Sequence, residues 1–199
     1  MTPADRTVRV VEAEGKEGLG HARRLFRAYA GDVSGTIAAI LRSQGFEAEI
    51  AGLPGRYAPP SGCLLLAVDG GQPAGCVALR DLGGGTCEMK RLYVAPGYRG
   101  RGVGGLLVRE VIRRGERAGY RRMVLDSMPE MVGAIALYRR HGFVETDPYW
   151  EHPTEHAVFM EKRLSTGQSL RAWSPGGVGD DEGGGFDLEG RRGGPALPG

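Results

Sequence analysis

The stretch 98–107, YRGRGVGGLL, constrains the fold of this chain more than any other. Its glycines have no side chains, so a ligand can approach the backbone closely. The residues that follow place apolar side chains at helical spacing as far as Ala118. A glycine loop that opens a helix offers free amide groups, and the positive end of the helix dipole, to an anion. The stretch therefore predicts a phosphate-binding loop at the start of a helix.

This stretch matches two types of phosphate-binding loop. Gly100-x-Gly102-x-x-Gly105 matches the fingerprint of a dinucleotide-binding domain, whereas Arg99-x-x-Gly102-x-Gly104 matches a different loop that also binds a pyrophosphate. Because the glycines and the helix are common to both, the rest of the chain must decide between them.

The surrounding chain argues against a dinucleotide. The preceding strand ends near Val94, so the connector to Gly100 is longer than the immediate strand-to-helix turn of that fold. After Asp126 only one helix and one strand pair precede a glycine-rich tail, which is too little to complete a doubly wound sheet.

Periodicity and turn residues predict the order β-α-α-β-β-β-α-β-α-β-β. This order indicates an α/β fold of the α+β type, a mixed and mostly antiparallel twisted sheet with helices on both faces. The predicted strands are 7–13, 63–68, 74–79, 86–94, 122–125, 144–146 and 157–164, and the predicted helices are 17–30, 36–43, 103–118 and 131–141.

Composition bounds the class of protein. Of the 199 residues, 1–164 predict one domain and 165–199 a Gly-rich, disordered tail. A net charge of +2 argues against nucleic acid as a partner, and no apolar run is long enough to span a membrane. The three cysteines lie in apolar strands without metal-ligand spacing, so we expect reduced thiols, a cytoplasmic location and no metal. We expect a monomer or a homodimer.

Two motifs in register resemble the GNAT superfamily of N-acetyltransferases. Arg99, Gly102 and Gly104 match its R/Q-x-x-G-x-G/A acyl-CoA loop. Ala134-x-x-Leu137-Tyr138-x-x-x-Gly142-Phe143 is similar to its "A-x-x-L-Y-x-x-x-G-F" motif. The resemblance covers residues 7–164 and includes the order of elements.

The resemblance implies an enzyme that moves an acetyl group from acetyl-CoA to a primary amine, of a small molecule or a protein, by direct attack. A non-catalytic acyl-CoA-binding regulator on the same fold is the alternative. The residues implied to bind the cofactor, mainly through the main chain, are Leu92, Tyr93, Val94, Arg99, Gly100, Arg101, Gly102, Val103, Gly104, Gly105 and Arg140.

Tyr138 resembles the family's general acid, which protonates the departing CoA thiolate; otherwise it is a core tyrosine. Glu88 matches the family's general base, and otherwise forms an ion pair with Lys90 or Arg91. Asp126, or water alone, is the other candidate base. Strand alternation predicts that Glu88, Lys90, Leu92 and Val94 share one face of the sheet.

The acceptor site is predicted from the family's layout at Tyr29, Tyr149 and Trp150. Aromatic side chains with an acid suit a small cationic amine, although an aromatic loop also seals a core. One departure from the family is Met131, which stands where many members carry an asparagine that contacts the pantetheine arm. The strand backbone or Ser127 is then expected to position that arm.

Overall fold

A seven-stranded mixed sheet forms the centre of the protein, as the sequence predicts. The structure is a computed structural model that describes residues 7–33, 35–43, 45–151 and 156–165. The strand order is β1-β2-β3-β4-β5-β7-β6, and every neighbouring pair is antiparallel except β4 and β5. The strands are β1 Arg9–Glu12, β2 Cys63–Asp69, β3 Gln72–Gly83, β4 Thr86–Val94, β5 Arg122–Ser127, β6 Val144–Glu145 and β7 Val158–Arg163.

Helices cover both faces of this sheet. The sequence interpretation missed α3, because its six residues are too few to show a helical period. The helices are α1 Gly15–Asp32, α2 Gly35–Ser43, α3 Phe46–Ala51, α4 Val103–Arg117 and α5 Val132–Arg140, with one-turn 3₁₀ helices at Gly55–Tyr57 and Pro96–Tyr98.

Two apolar cores result, one on each face. On the first face, α4 buries Val103, Leu107 and Val111 against the sheet, and α5 adds Ile135 and Tyr138. On the second face, the stacked rings of Phe26 and Phe46 join α1 to α3. Because the face of a strand residue decides which core it meets, any break in alternation moves side chains from one core to the other.

Such a break occurs in β4. Ala78 of β3 pairs with Lys90 and Cys76 pairs with Tyr93, so the single residue between them in β3 faces Arg91 and Leu92 together. This is a β-bulge, and among the described residues other than glycine only Arg91 has a positive φ, of 59°. The prediction that Glu88, Lys90, Leu92 and Val94 share one face is therefore wrong.

The bulge separates the two halves of β4. Glu88 and Lys90 lie on the face of α1–α3, opposite Arg80 and Ala78 of β3. Leu92 and Val94 pack into the core of α4 and α5. One strand thus supplies charged groups to one face and an apolar edge to the other.

A buried ion pair holds the bulge. The Arg91 guanidinium donates two hydrogen bonds to the Glu49 carboxylate of α3, at 2.8 and 2.7 Å, and lies over the Phe46 ring at 4.9 Å. The Tyr57 hydroxyl also donates to Glu49, at 2.8 Å. Burial alone would raise the pKa of Glu49, but the hydrogen bonds and charge of Arg91, with Tyr57, outweigh it and lower that pKa.

The three cysteines are all buried free thiols in β2, β3 and β4. Burial raises the pKa of Cys63 and of Cys87 to about 12, and it also raises the pKa of Cys76. None of the described helices is both long and apolar enough to cross a membrane. The predicted tail at 165–199 lies, apart from Ser165, outside the described residues.

Replacing Arg91 separates the ion pair from the backbone strain. Arg91→Ala leaves Glu49 buried without its partner and should lower the free energy of unfolding by about 3 kcal/mol. Arg91→Gly removes the same pair but suits the positive φ, so we expect it to retain roughly 1 kcal/mol more stability than the alanine variant. Urea unfolding measures both. Equal losses would show that the left-handed backbone at 91 carries no strain.

Candidate active site

A gap in the sheet forms the base of the site. β4 and β5 pair only from Thr86–Glu88 to Arg122–Val124, and beyond these residues no pairing joins the two strands. β5 continues along β7 instead, and β4 continues along β3. The two parallel strands therefore diverge beyond Glu88 and Val124, and groups from both faces of the sheet can meet in the gap between them.

A large cleft of about 1190 Å³ runs from the mouth of this gap over the glycine loop. All the predicted cofactor-binding residues except Arg101 line it. The lining residues among them are Leu92, Tyr93, Val94, Arg99, Gly100, Gly102, Val103, Gly104, Gly105 and Arg140.

Gly102 begins α4 as its N-terminal cap, with φ 78°, a conformation that few side chains adopt. The first backbone amides of α4 have no partner within the helix, so they remain available to an anion in the cleft. Gly104 is small for a different reason. A Cβ at Gly104 would lie 3.2 Å from Leu137 Cδ2, so this glycine allows α4 to approach α5 closely.

Arg99 anchors the loop to the end of α1. Its guanidinium donates to Asp32 Oδ2 at 2.6 Å and to the Val94 carbonyl at 3.0 Å, and it lies over the Tyr93 ring at 5.7 Å. Tyr93 donates its hydroxyl to the same carboxylate at 2.9 Å. The hydrogen bonds from Tyr93 and then from Arg99 lower the pKa of Asp32. The role of Arg99 is therefore to position the loop.

The remaining arginines near the loop differ in placement. Arg140 lines the cleft, whereas Arg139 pairs with Glu145 at 2.5 Å. Arg101 lies within 3.6 Å of the Asp69 carboxylate and over the Tyr98 ring at 5.1 Å, outside the cleft. Of Arg101, Arg139 and Arg140, only Arg140 lines the cleft.

A smaller cavity of about 70 Å³, here called the inner cavity, continues from the cleft into the gap. It shares Tyr29, Leu92 and Met131 with the cleft, and Asp126 and Tyr138 lie on its wall. Burial raises the pKa of Tyr138, and the nearby Tyr29 and Asp126 raise it further. Tyr138 is therefore a neutral phenol across the physiological range.

Ser127 also lines the inner cavity, and its buried Oγ has no hydrogen-bond partner within the described part of the chain. A buried hydroxyl without a partner is unusual in a native protein, and a polar ligand in the cavity would satisfy it. The residues present therefore fit a donor whose arm runs through the gap.

Glu88 lies behind this cavity and is completely buried. Arg80 donates to it from β3, Lys90 donates at 3.2 Å, and the Tyr149 hydroxyl donates at 2.9 Å. Lys90 also contacts Asp126 Oδ1 at 3.2 Å, so one ammonium joins both carboxylates. Two cations contact Glu88, and its ion pair with Lys90 forms as the alternative interpretation proposed.

The predicted acceptor residues occupy three different places. Tyr29 lines both the cleft and the inner cavity. The Tyr149 hydroxyl bonds to Glu88, and its ring packs edge-on against Phe159 at 5.3 Å. Trp150 lies beside Lys90, whose ammonium is 6.0 Å from the ring centre. His152, two residues after Trp150, lies outside the described residues.

Sequence reasoning missed the contributions of Glu49, Asp32 and Arg80. Glu49 on α3 and Asp32 at the end of α1 contact residues that are far from them along the chain. The local spacing of residues in a sequence does not predict such long-range contacts. The contact between Arg80 and Glu88 could have been predicted, because the two residues lie directly opposite each other in the β3–β4 hairpin.

The anion-binding loop, the divided sheet and the buried phenol together define a class of protein, an enzyme that holds a long phosphate-bearing donor and moves a group from it in the gap between two strands. The family model described as the acetyltransferase (GNAT) family matches residues 38–143, which is more than half of the chain. The chain belongs to the GNAT acetyltransferase family and is an N-acetyltransferase.

Relatives and solved structures agree with this assignment. An uncharacterized N-acetyltransferase of Schizosaccharomyces pombe is 43% identical over 127 residues, 63% of this chain and 78% of that protein. An IAA acetyltransferase of Azospirillum brasilense is 34% identical over 54% of this chain and 71% of its own.

Two solved structures share the fold. A GNAT acetyltransferase of Staphylococcus aureus superposes with a TM-score of 0.65 at 15% identity, over 80% of this chain and all of its own. The PaiA N-acetyltransferase of Thermoplasma acidophilum, solved in complex with coenzyme A, gives 0.61 at 20% identity, over 79% and 99%.

Gly102→Val tests the loop as an acyl-CoA site. A branched side chain at φ 78° strains the loop and projects into the cleft, so we expect the dissociation constant for CoA to rise at least about tenfold, or ~1.4 kcal/mol. Gly71→Val is the matched control, because Gly71 has φ 84° in the β2–β3 turn, with open space around it. Unchanged CoA affinity in Gly102→Val, measured by calorimetry, would remove the loop from the site.

Proposed function

We propose that this N-acetyltransferase uses acetyl-CoA and acetylates a primary amine by direct attack, with no covalent enzyme intermediate. The family uses acyl-CoA as its donor. The observation that supports the proposal most is continuity: the cleft at the glycine loop leads through shared walls at Tyr29, Leu92 and Met131 to the cavity of Tyr138 and Asp126. Donor and acceptor can therefore meet at one point in the sheet.

The chain would hold the donor in three sections. Free amides at the start of α4 suit the pyrophosphate, with Arg140 nearby for a phosphate. The edge of β4 at Leu92–Val94 has no pairing with β5 and suits the pantetheine arm. Met131 lines both the cleft and the inner cavity, and the Ser127 hydroxyl lines the inner cavity without a hydrogen-bond partner among the described residues.

Tyr138 is the proposed general acid. Its phenol is neutral because burial raises its pKa, and it lies on the wall of the inner cavity, where the thioester would be placed. Transfer of its proton to the departing thiolate would restore the CoA thiol. Tyr138 also packs against Phe143 at 6.0 Å, so the core role predicted as the alternative accompanies the chemical one.

Asp126 is the proposed general base, in preference to Glu88. A base must lie within hydrogen-bond reach of the amine or of one intervening water. Lys90 and Tyr149 contact both carboxylates, but Asp126 lines the inner cavity, whereas Glu88 does not line it and is also bonded by Arg80. We assign Glu88 the task of holding Lys90 and Tyr149 in place.

The alternative of a non-catalytic regulator finds no support in the family assignment. A binding protein also has no need of a buried phenol beside the donor. The cytoplasmic location and the monomeric or dimeric state remain predictions.

Tyr138→Phe tests the acid. The ring keeps its packing and loses only the hydroxyl, so we expect turnover to fall about 100-fold or more while KM for acetyl-CoA is unchanged. Steady-state kinetics that follow CoA release give both numbers, and thermal unfolding checks the fold. Wild-type turnover in the variant would exclude Tyr138 from the chemistry.

Asp126→Asn and Glu88→Gln distinguish the two candidate bases. If Asp126 accepts the proton, its variant loses the acidic limb of the pH dependence of kcat/KM and about 100-fold of the rate near neutrality. Glu88→Gln leaves Arg80 and Lys90 with excess positive charge, so it should lower stability and keep the acidic limb. A lost limb in Glu88→Gln, with a normal profile in Asp126→Asn, would return the role to Glu88.

A further inference from the structure

A third cavity adjoins the site on the side away from the glycine loop. It has a volume of about 160 Å³, and we call it the arginine pocket. Lys90 and Arg91 line both this pocket and the inner cavity, so the two cavities adjoin at these side chains. Its lining residues are Glu49, Arg56, Arg80, Lys90, Arg91 and Trp150.

Cations dominate this pocket. Three of its four cations contact carboxylates of the protein: Arg80 contacts Glu88, Lys90 contacts Glu88 and Asp126, and Arg91 contacts Glu49. These four cations face three carboxylates. Within the described part of the chain, Arg56 forms no ion pair. The pocket therefore carries an excess of positive charge at Arg56.

The arginines retain donors for a ligand. A guanidinium has five N–H groups, and Arg80 uses its Nε toward Glu88. Arg56 is exposed on the 3₁₀ helix Gly55–Tyr57, and none of its donors is bonded within the residues that the structure describes. Planar guanidinium groups bind carboxylates and phosphates in a paired geometry, which ammonium groups do not match.

Size and shape limit what enters. A volume of about 160 Å³ holds roughly five water molecules, which suits a carboxylate or phosphate group and a few carbons. The Trp150 ring provides one apolar wall. On the far side of Lys90, Asp126 lines the inner cavity, where it contacts the Lys90 ammonium at 3.2 Å and the Tyr149 hydroxyl at 3.3 Å.

We propose that the acceptor is an amine carrying an anionic group a few bonds from its nitrogen, as in an amino acid or an aminoalkyl phosphate. This inference rests on the proposed acetyl transfer. The amine would lie against Asp126, and the anion would lie against Arg56 and Arg80. A polyamine or a lysine-rich peptide would place positive charge in this pocket, which the same electrostatics oppose. The sequence predicts a small cationic amine, and this proposal adds an anionic group to it.

Matched acceptors test the charge requirement. Each α-amino acid is compared with its amide and with the decarboxylated amine, phosphoethanolamine is compared with ethanolamine, and spermidine represents cationic acceptors. CoA release from acetyl-CoA gives kcat/KM. We expect at least one anionic acceptor to exceed its uncharged partners by about tenfold or more, and the carboxylate and phosphate arms tell which anion is preferred.

Arg56→Gln tests the pocket itself. It should raise KM for the anionic acceptor about tenfold and leave KM for acetyl-CoA and the rate with the uncharged partner unchanged. Arg27→Gln is the matched control, since it removes the same charge from an exposed position on α1. If both variants raised KM for the anionic acceptor equally, the effect would come from the overall charge of the protein, and the proposal would be overturned.

The two hypotheses fail in different ways. Amides, plain amines or spermidine acetylated as well as the anionic acceptors would overturn the anionic class and leave acetyl transfer standing. CoA release with none of these acceptors, from protein that binds acetyl-CoA, would overturn acetyl transfer to a small amine and this inference with it.

Discussion

The ion pair between Arg91 and Glu49 is the interaction on which the site depends. It holds a residue with positive φ inside β4, and a buried guanidinium that donates twice to one carboxylate is among the strongest contacts available to a side chain. The bulge turns Leu92 and Val94 toward α4 and α5, while Glu88 and Lys90 remain toward α1–α3. Without this change of face, one strand could not serve the donor and the charged groups at once.

The separation of β4 from β5 allows groups from both faces of the sheet to reach one cavity. In a continuous sheet, Tyr138 on the α5 side would be separated from Asp126 on the other side by a layer of paired backbone. Because pairing stops at Glu88 and Val124, both side chains reach the same cavity. Asp126 lies there at 3.2 Å from the Lys90 ammonium, at the place proposed for proton transfer.

Much of this arrangement could be predicted from local sequence. The glycine loop, the amphipathic α4 and the motif around Tyr138 each act over a few residues, so spacing alone places them. Asp126 was recognised because it ends a strand beside Glu88. The same local signals gave the seven strands along the chain and the fold class, which is confirmed.

The rest depends on contacts between distant segments. Simple alternation gave the wrong face for Leu92 and Val94, because no residue type marks Arg91 as left-handed; a glycine there would have signalled the bulge. Glu49 lies 42 positions from Arg91, on a helix too short to show a period. Arg101 was predicted to bind the cofactor, and the sequence did not indicate that it also contacts Asp69.

The buried thiols of β2, β3 and β4 have a practical meaning for enzymology. Only a thiolate attacks a disulfide reagent readily, and these three cysteines combine burial with raised pKa values. A chromogenic disulfide added to the native enzyme will therefore report the thiol of released CoA rather than the protein. Slow additional colour, up to three equivalents per chain, would instead register opening of the sheet.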